Sequence, residues 1–202
     1  LEIEPLSEFL ASQLAEGICR QAVLYDLDYY HGKLISKCPL FTSEPVGLAK
    51  ASAVFHGAEH TIPDLLQYFR GIGSEDAFRR MCTLDAIILN PDRHYGNFGV
   101  LFDTATMEVL QMAPVFDNNK SLLPELDNDQ LAAPDWYIAR CRPRIGRDFI
   151  LTARGLLTDE IRADLERMRD FTFRQHPKIQ AEQMRLDALS GIVRERIRQI
   201  LA

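Results

Sequence analysis

The chain has 202 residues, 47% of them hydrophobic, enough for a single core that buries roughly 70% of the surface an unfolded chain exposes. A formal net charge of −6 excludes a generally basic nucleic-acid binder, because binding by counterion release needs a positive surface. Cys19, Cys38, Cys82 and Cys141 lie no closer than 19 positions and form no Cys-x-x-Cys pair, which excludes a cysteine zinc framework and a disulfide scaffold and fits a reducing cytoplasm. No apolar run approaches the ~20 residues of a membrane span, and the first residues lack the basic-then-apolar form of a signal peptide.

In chain order, Ser7 is placed to cap a helix with Glu8 in its first turn; Phe9, Leu10, Leu14 and Ile18 follow at helical spacing and Gly17 ends it. Two β-favouring runs, Val23 to Leu27 and Leu34 to Ser36, flank Tyr29-Tyr30-His31-Gly32 and predict a hairpin. Residues 42–63 have no clear period. A helix is expected from Ile62 to Phe69, broken by Gly71-Ile72-Gly73. Ser74 is placed to cap a stronger helix with Glu75 and Asp76 in its first turn and Phe78, Met81, Leu84 and Ile88 on its apolar stripe. Pro91 pushes Asn90 out of the helical region and stops it. Phe98 to Phe102 and Val109 to Val115 predict two strands joined near Asp103-Thr104, and Leu122 to Trp136 a polar loop. Thr158 caps a helix over Asp159 to Met168, and Leu186, Leu189, Val193, Ile197 and Ile200 mark a last one. These elements predict an α+β, mostly helical fold.

The chemistry concentrates between residues 84 and 120. Asp92, Asn97 five positions later, and Asp117 at the end of Ala113-Pro114-Val115-Phe116-Asp117 are polar groups carried by apolar strands. Asp followed by Asn at plus five matches the His-Arg-Asp-x-x-x-x-Asn catalytic loop of kinases, and an Asp preceded by an apolar pair matches the magnesium Asp of Asp-Phe-Gly. In that layout Asp92 takes a hydroxyl proton while Asn97 and Asp117 hold Mg²⁺ on phosphates. Taken singly, each is also an ordinary turn residue. His94 is read as an organiser of the loop over a satisfied local histidine, Arg93 as a solvated side chain over a phosphate contact, and Asn118, Asn119 and Lys120 as an exposed polar turn over the start of an activation segment.

Three other signals compete. His56-Gly57-Ala58-Glu59-His60 matches the inverted zinc-protease motif, but Gly57 and Pro63 oppose the continuous helix needed to point His56, Glu59 and His60 at one metal. Gly71-Ile72-Gly73 resembles a phosphate turn, yet Glu75 and Asp76 would repel an anion there. Arg140, Arg142, Arg144 and Arg147 form a basic cluster, either a solvated loop or a dock for an acidic or phosphorylated partner.

Asn90-Pro91-Asp92-Arg93-His94-Tyr95-Gly96-Asn97-Phe98-Gly99, with Ala113 to Asn118 downstream, resembles the core of the HipA-like serine/threonine kinases, a bacterial group that includes toxin kinases and CtkA-type kinases. The Asp-Arg-His-x-x-Asn string is also similar to that of phosphoinositide lipid kinases. The resemblance implies a kinase C-lobe over 41–202 and a remnant of the N-lobe over 1–40: an αC-like helix, a hairpin, and a hinge at Lys37 to Leu40. It implies ATP and Mg²⁺ as cofactors, Asp92 as catalytic base with His94 supporting its loop, Asn97 and Asp117 as metal ligands, and Glu8 as the αC glutamate that pairs the ATP-binding lysine. It implies a Ser/Thr-bearing protein substrate and an antitoxin-like or N-lobe-supplying partner, with neither membrane nor nucleic acid bound. Against that pattern, Lys33, Lys37, Lys50, Lys120 and Lys178 all follow the αC-like helix, and the expected glycine-rich loop and lysine would lie upstream of it. The chain is therefore expected to be a fragment of such a kinase, inactive or weakly active by itself; the alternative is a non-catalytic interaction module, a pseudokinase.

Overall fold

The computed structural model describes residues 3–56 and 60–202. Ile3–Ile18 form α1, which buries Leu6, Leu10, Leu14 and Ile18. The apolar stripe begins at Leu6, so Ser7 lies inside the helix and is buried, correcting its expected role as the cap. Gly17 also stays helical, packed so closely that an added Cβ would stand 2.9 Å from the Met168 sulfur.

Asp26–Tyr30 (β1) and Lys33–Lys37 (β2) pair antiparallel through the two-residue turn His31-Gly32, whose φ values of 49° and 76° are both positive, as a tight hairpin turn requires. The hairpin is shifted from its expected start at Val23, because Val23 pairs elsewhere: its N–H donates to Val115 O, and Ala22 bridges Val115 in parallel.

Val46–Lys50 form β3, which the weak period of residues 42–63 had hidden, and Ala51–Val54 a single turn, α2. Gly99–Asp103 (β4) lies between β3 and Val109–Met112 (β5) in an antiparallel sheet. Lys50 faces Gly99, and any side chain at Gly99 would collide with the Ala49 carbonyl oxygen. That close approach explains the glycine.

Thr61 closes a reciprocal capping box with Asp64 and starts α3, Ile62–Gly71. Glu75–Ile88 form α4, the central helix, packed against α3, α1 and the later α7 and α9, with Phe78 stacked on Phe69 at 5.1 Å. Ser74 does not cap α4 through its side chain; its hydroxyl instead accepts the Met112 N–H and ties the sheet to the helix. The stretch expected to be a loop holds two short turns of helix, α5 (Asn128–Leu131) and α6 (Asp135–Ile138). Then come α7 (Phe149–Leu156), α8 (Asp159–Arg167), capped by Thr158 as expected, and α9 (Gln183–Leu201), whose Leu186, Leu189, Val193, Ile197 and Ile200 are all buried.

Buried arginines finish the helix ends. Arg80 donates to Ile18 O at the close of α1, and Arg196 to Ala86 O in the last turn of α4. These carbonyls have no partner within their own helices, so a cation there satisfies both hydrogen bonding and the helix dipole. Among the described residues no helix is long and apolar enough to cross a membrane.

Candidate active site

The site grows from the end of α4. Leu89 turns left-handed at φ 53°, and the N–H groups of Leu89 and Asn90 both donate to Asp85 O. Pro91 then keeps the chain from resuming the helix. Asn90 is buried: its Nδ2 donates to Asp85 Oδ1 and its Oδ1 accepts the Asp92 N–H. Asp92 is therefore set just beyond a rigid helix end, with its side chain about one-third exposed, 32%.

The loop from Asp92 to Asn97 folds on itself. His94 N–H donates to Asp92 O at 2.7 Å, Asn97 N–H to His94 O at 2.8 Å, and Asn97 Nδ2 to Asp92 O at 3.1 Å. His94 Nδ1 accepts the Gly96 N–H at 2.9 Å, and its Nε2 lies 4.0 Å from Asp92 Oδ2. A Cβ on Gly96 would stand 2.7 Å from the imidazole, which requires glycine there.

Arg93 corrects the expectation of a solvated side chain. It is 1% exposed, and its guanidinium joins three segments. Nε and Nη2 donate to the Asp85 carboxylate; Nη1 donates to Asn97 O at 2.8 Å and to Phe116 O, with Asp117 O at 3.4 Å; Nη2 also reaches Asn118 Oδ1. One nitrogen thus binds backbone carbonyls of two chain segments, and that holds the Asn97 and Asp117 segments together. Asn118 is fully buried rather than part of an exposed turn, while Lys120 pairs with Glu4. The sequence signal for this hub was available: Asp85 is a lone acid within the apolar run Leu84 to Leu89, and a buried acid needs a cation.

Asp117 adopts φ 58°, a left-handed conformation that Asp tolerates better than most residues. Its N–H donates to Tyr25 Oη at 3.2 Å, and the next N–H, of Asn118, donates to Glu8 Oε1 at 3.3 Å. Glu8 Oε2 accepts Ser36 Oγ at 2.7 Å, so Glu8 links α1, β2 and the residue after Asp117. Burial pushes the Glu8 carboxyl up from its ordinary value, against the Ser36 and Asn118 hydrogen bonds, and the nearby Asp117 charge adds to the rise. None of the five lysines pairs with Glu8; Lys37 meets Asp28 and Lys120 meets Glu4. Phe41, just past the expected hinge, stacks on Phe116 at 5.7 Å.

The donor set suits Mg²⁺. Among the described residues the Asp117 carboxylate has no hydrogen bond or ion pair, and Asn97 commits Nδ2 and leaves Oδ1 free. Also among the described residues, no three His, Cys, Asp or Glu side chains converge as a complete metal cage. Magnesium is commonly held by one or two protein oxygens together with phosphate and water, so such a cage is not required.

The remaining candidates lie apart. In the zinc motif Glu59 lies outside the described residues; His56 is exposed after the extended Phe55, and His60 packs on Phe55 and Tyr95 just before Thr61 caps α3. Gly73 serves the turn before α4 at φ 69°. The arginine cluster divides: Arg140 and Arg142 donate to nearby carbonyls, whereas Arg144 reaches Asp92 Oδ1 at 3.4 Å.

No protein-family model matches the sequence, and no curated protein matches it. The chain is similar in structure to the Helicobacter pylori proinflammatory kinase CtkA, with a TM-score of 0.68 at 17% sequence identity over 98% of this chain and 84% of that one. The likeness is one of fold.

Proposed function

We propose, from a fold shared with a kinase and from the joined segments that carry Asp92, Asn97 and Asp117, that the protein is an ATP- and Mg²⁺-dependent kinase of HipA-like type acting on a protein serine or threonine. The observation that supports this reading is the Arg93 guanidinium, which bonds Asn97 O and Phe116 O at once and so ties the Asn97 and Asp117 segments together. In the reaction the acceptor hydroxyl oxygen forms a bond to the γ-phosphorus, the bond from that phosphorus to the β,γ-bridging oxygen breaks, and ADP leaves. Asp92 orients the hydroxyl and takes its proton. Asn97 Oδ1 and the Asp117 carboxylate are the ligands of Mg²⁺, which when bound neutralises charge on the phosphates. His94 and Gly96 hold the loop in shape, and Glu8 buttresses the Asp117 segment.

Replacing Asp92 by Ala is expected to slow transfer of labelled γ-phosphate about 10²–10⁴-fold, the usual worth of a positioned base, with an unchanged urea midpoint; Asp117→Asn, which tolerates the left-handed backbone that Ala would strain, is expected to abolish transfer. Undiminished transfer in either variant removes the assignment.

One observation favours a second reading, the non-catalytic interaction module: among the described residues Glu8 is satisfied by Ser36 and Asn118 rather than by a lysine. A partner protein that supplies the cation would restore activity. Calorimetry separates the cases: magnesium-dependent ATP binding supports the kinase, and the lack of any nucleotide binding supports the module. Lipid phosphorylation, a third possibility, predicts binding to phosphoinositide vesicles.

A further inference from the structure

On the open side of Asp92 lies a groove of about 710 Å³, walled by His94 and Tyr95 of the loop, Ile62 at the start of α3, Leu151 in α7, and Arg144 and Arg147 from the segment before α7. Arg144 joins the groove to the site, since the same guanidinium stands 3.4 Å from Asp92 Oδ1. The groove is cationic although the chain carries −6. Its lining includes one carboxylate among the described residues, Asp148, and that oxygen is engaged as the cap of α7, accepting the Leu151 N–H. Leu151 itself, 69% exposed, places an apolar surface within reach of the two arginines.

Building on the phosphotransfer reading, we propose that this groove docks the acceptor protein through a segment in which an aspartate or glutamate flanks the hydroxyl and an apolar residue rests on Leu151. Charge complementarity selects the occupant: two exposed guanidinium groups outnumber the single carboxylate, Asp148, among the described lining residues. Arg144 then has two alternative partners. In the free protein it contacts Asp92; an exposed pair of this kind is weakly held and exchanges readily for another carboxylate. An acidic acceptor takes Arg144 and leaves Asp92 to the hydroxyl. Arg144 and Arg147 are thereby specificity-determining residues.

Two fluorescein-labelled peptides test this, identical in a serine and a leucine and differing only in flanking glutamates or lysines, titrated without nucleotide and followed by anisotropy. Wild type is expected to bind the glutamate peptide about tenfold tighter, as two exposed ion pairs allow. The Arg144→Glu, Arg147→Glu double variant, unaltered in melting temperature because both side chains are exposed, reverses that preference. Equal binding of the two peptides by wild type, or an unreversed preference in the double variant, overturns the proposal. Binding of a phosphoserine peptide but not the glutamate peptide overturns the choice of a carboxylate. Asp117→Asn keeps the peptide preference while losing transfer. Peptide discrimination by wild type with no transfer to the glutamate peptide overturns the phosphotransfer reading instead, and leaves the preference of the groove intact.

Discussion

Two arginines approach the loop that carries Asp92 from opposite sides. Arg93, behind it, is buried and divides its donors among Asp85, Asn97, Phe116 and Asn118. Arg144, in front, is 60% exposed and makes a single longer contact to Asp92 itself. The first is a fastening within low-dielectric core, where losing one partner strands the others; the second is a surface contact that water and salt can replace. On the proposed function, the arginine that fixes the loop is thus built into the core, while the one that would meet the acceptor remains free to exchange partners.

The comparison breaks first at Arg93. Arg93→Ala leaves the Asp85 carboxylate buried without its cation and two carbonyls without donors, and is expected to cost about 3–5 kcal/mol in urea unfolding. Arg93→Lys keeps a charge near Asp85 but cannot span three segments, and should fall between. A smaller loss, about 1–3 kcal/mol, is expected for Gly99→Ala, which drives β4 away from β3 behind the same loop.

Glu8 sharpens the core side through pH. Because burial raises its folded pKa above the ordinary 4.5, its stabilising contribution is full below 4.5 and is lost as pH rises through the raised value. Measured by thermal melts, wild type should therefore lose ground to Glu8→Gln as pH rises from 4.5 toward neutrality. A difference that stays flat with pH would remove burial as the cause. The smallest effect belongs to Arg144→Ala, below about 1 kcal/mol in the same melts and smaller still at high salt. A larger loss would mean that the two arginines do not differ as described.

What could be read from the sequence followed the reach of each signal. The helical stripes of α1 and α9 are local periodicities, and their buried faces are the expected ones. Thr158 caps α8 because nothing else claims its hydroxyl, whereas Ser74, an equally good local candidate, gives its hydroxyl to Met112 across the sheet. β3 has little alternation of its own and forms because β4, about fifty residues later, completes its ladder. At the site, the spacing of Asp92, Asn97 and Asp117 was legible as a motif. The burial of Arg93 was legible only from a distance, through the lone acid Asp85 eight residues upstream; judged by its immediate neighbours, a charged residue between two polar ones in a loop looks solvated.

Leu122 and Leu123 both adopt left-handed backbone, at φ 59° and 55°, with Leu122 N–H on Ile88 O and Leu123 O held by Arg185. The chain is therefore clamped immediately after the Asp117 segment and before the surface stretch that ends in Arg144 and Arg147. Insertions or deletions within 128–142 should stop at this clamp and leave the presumed metal ligands undisturbed. On the proposed docking role, changes in the stretch that ends in Arg144 and Arg147 would alter the choice of acceptor while the Asp92 loop stays as built.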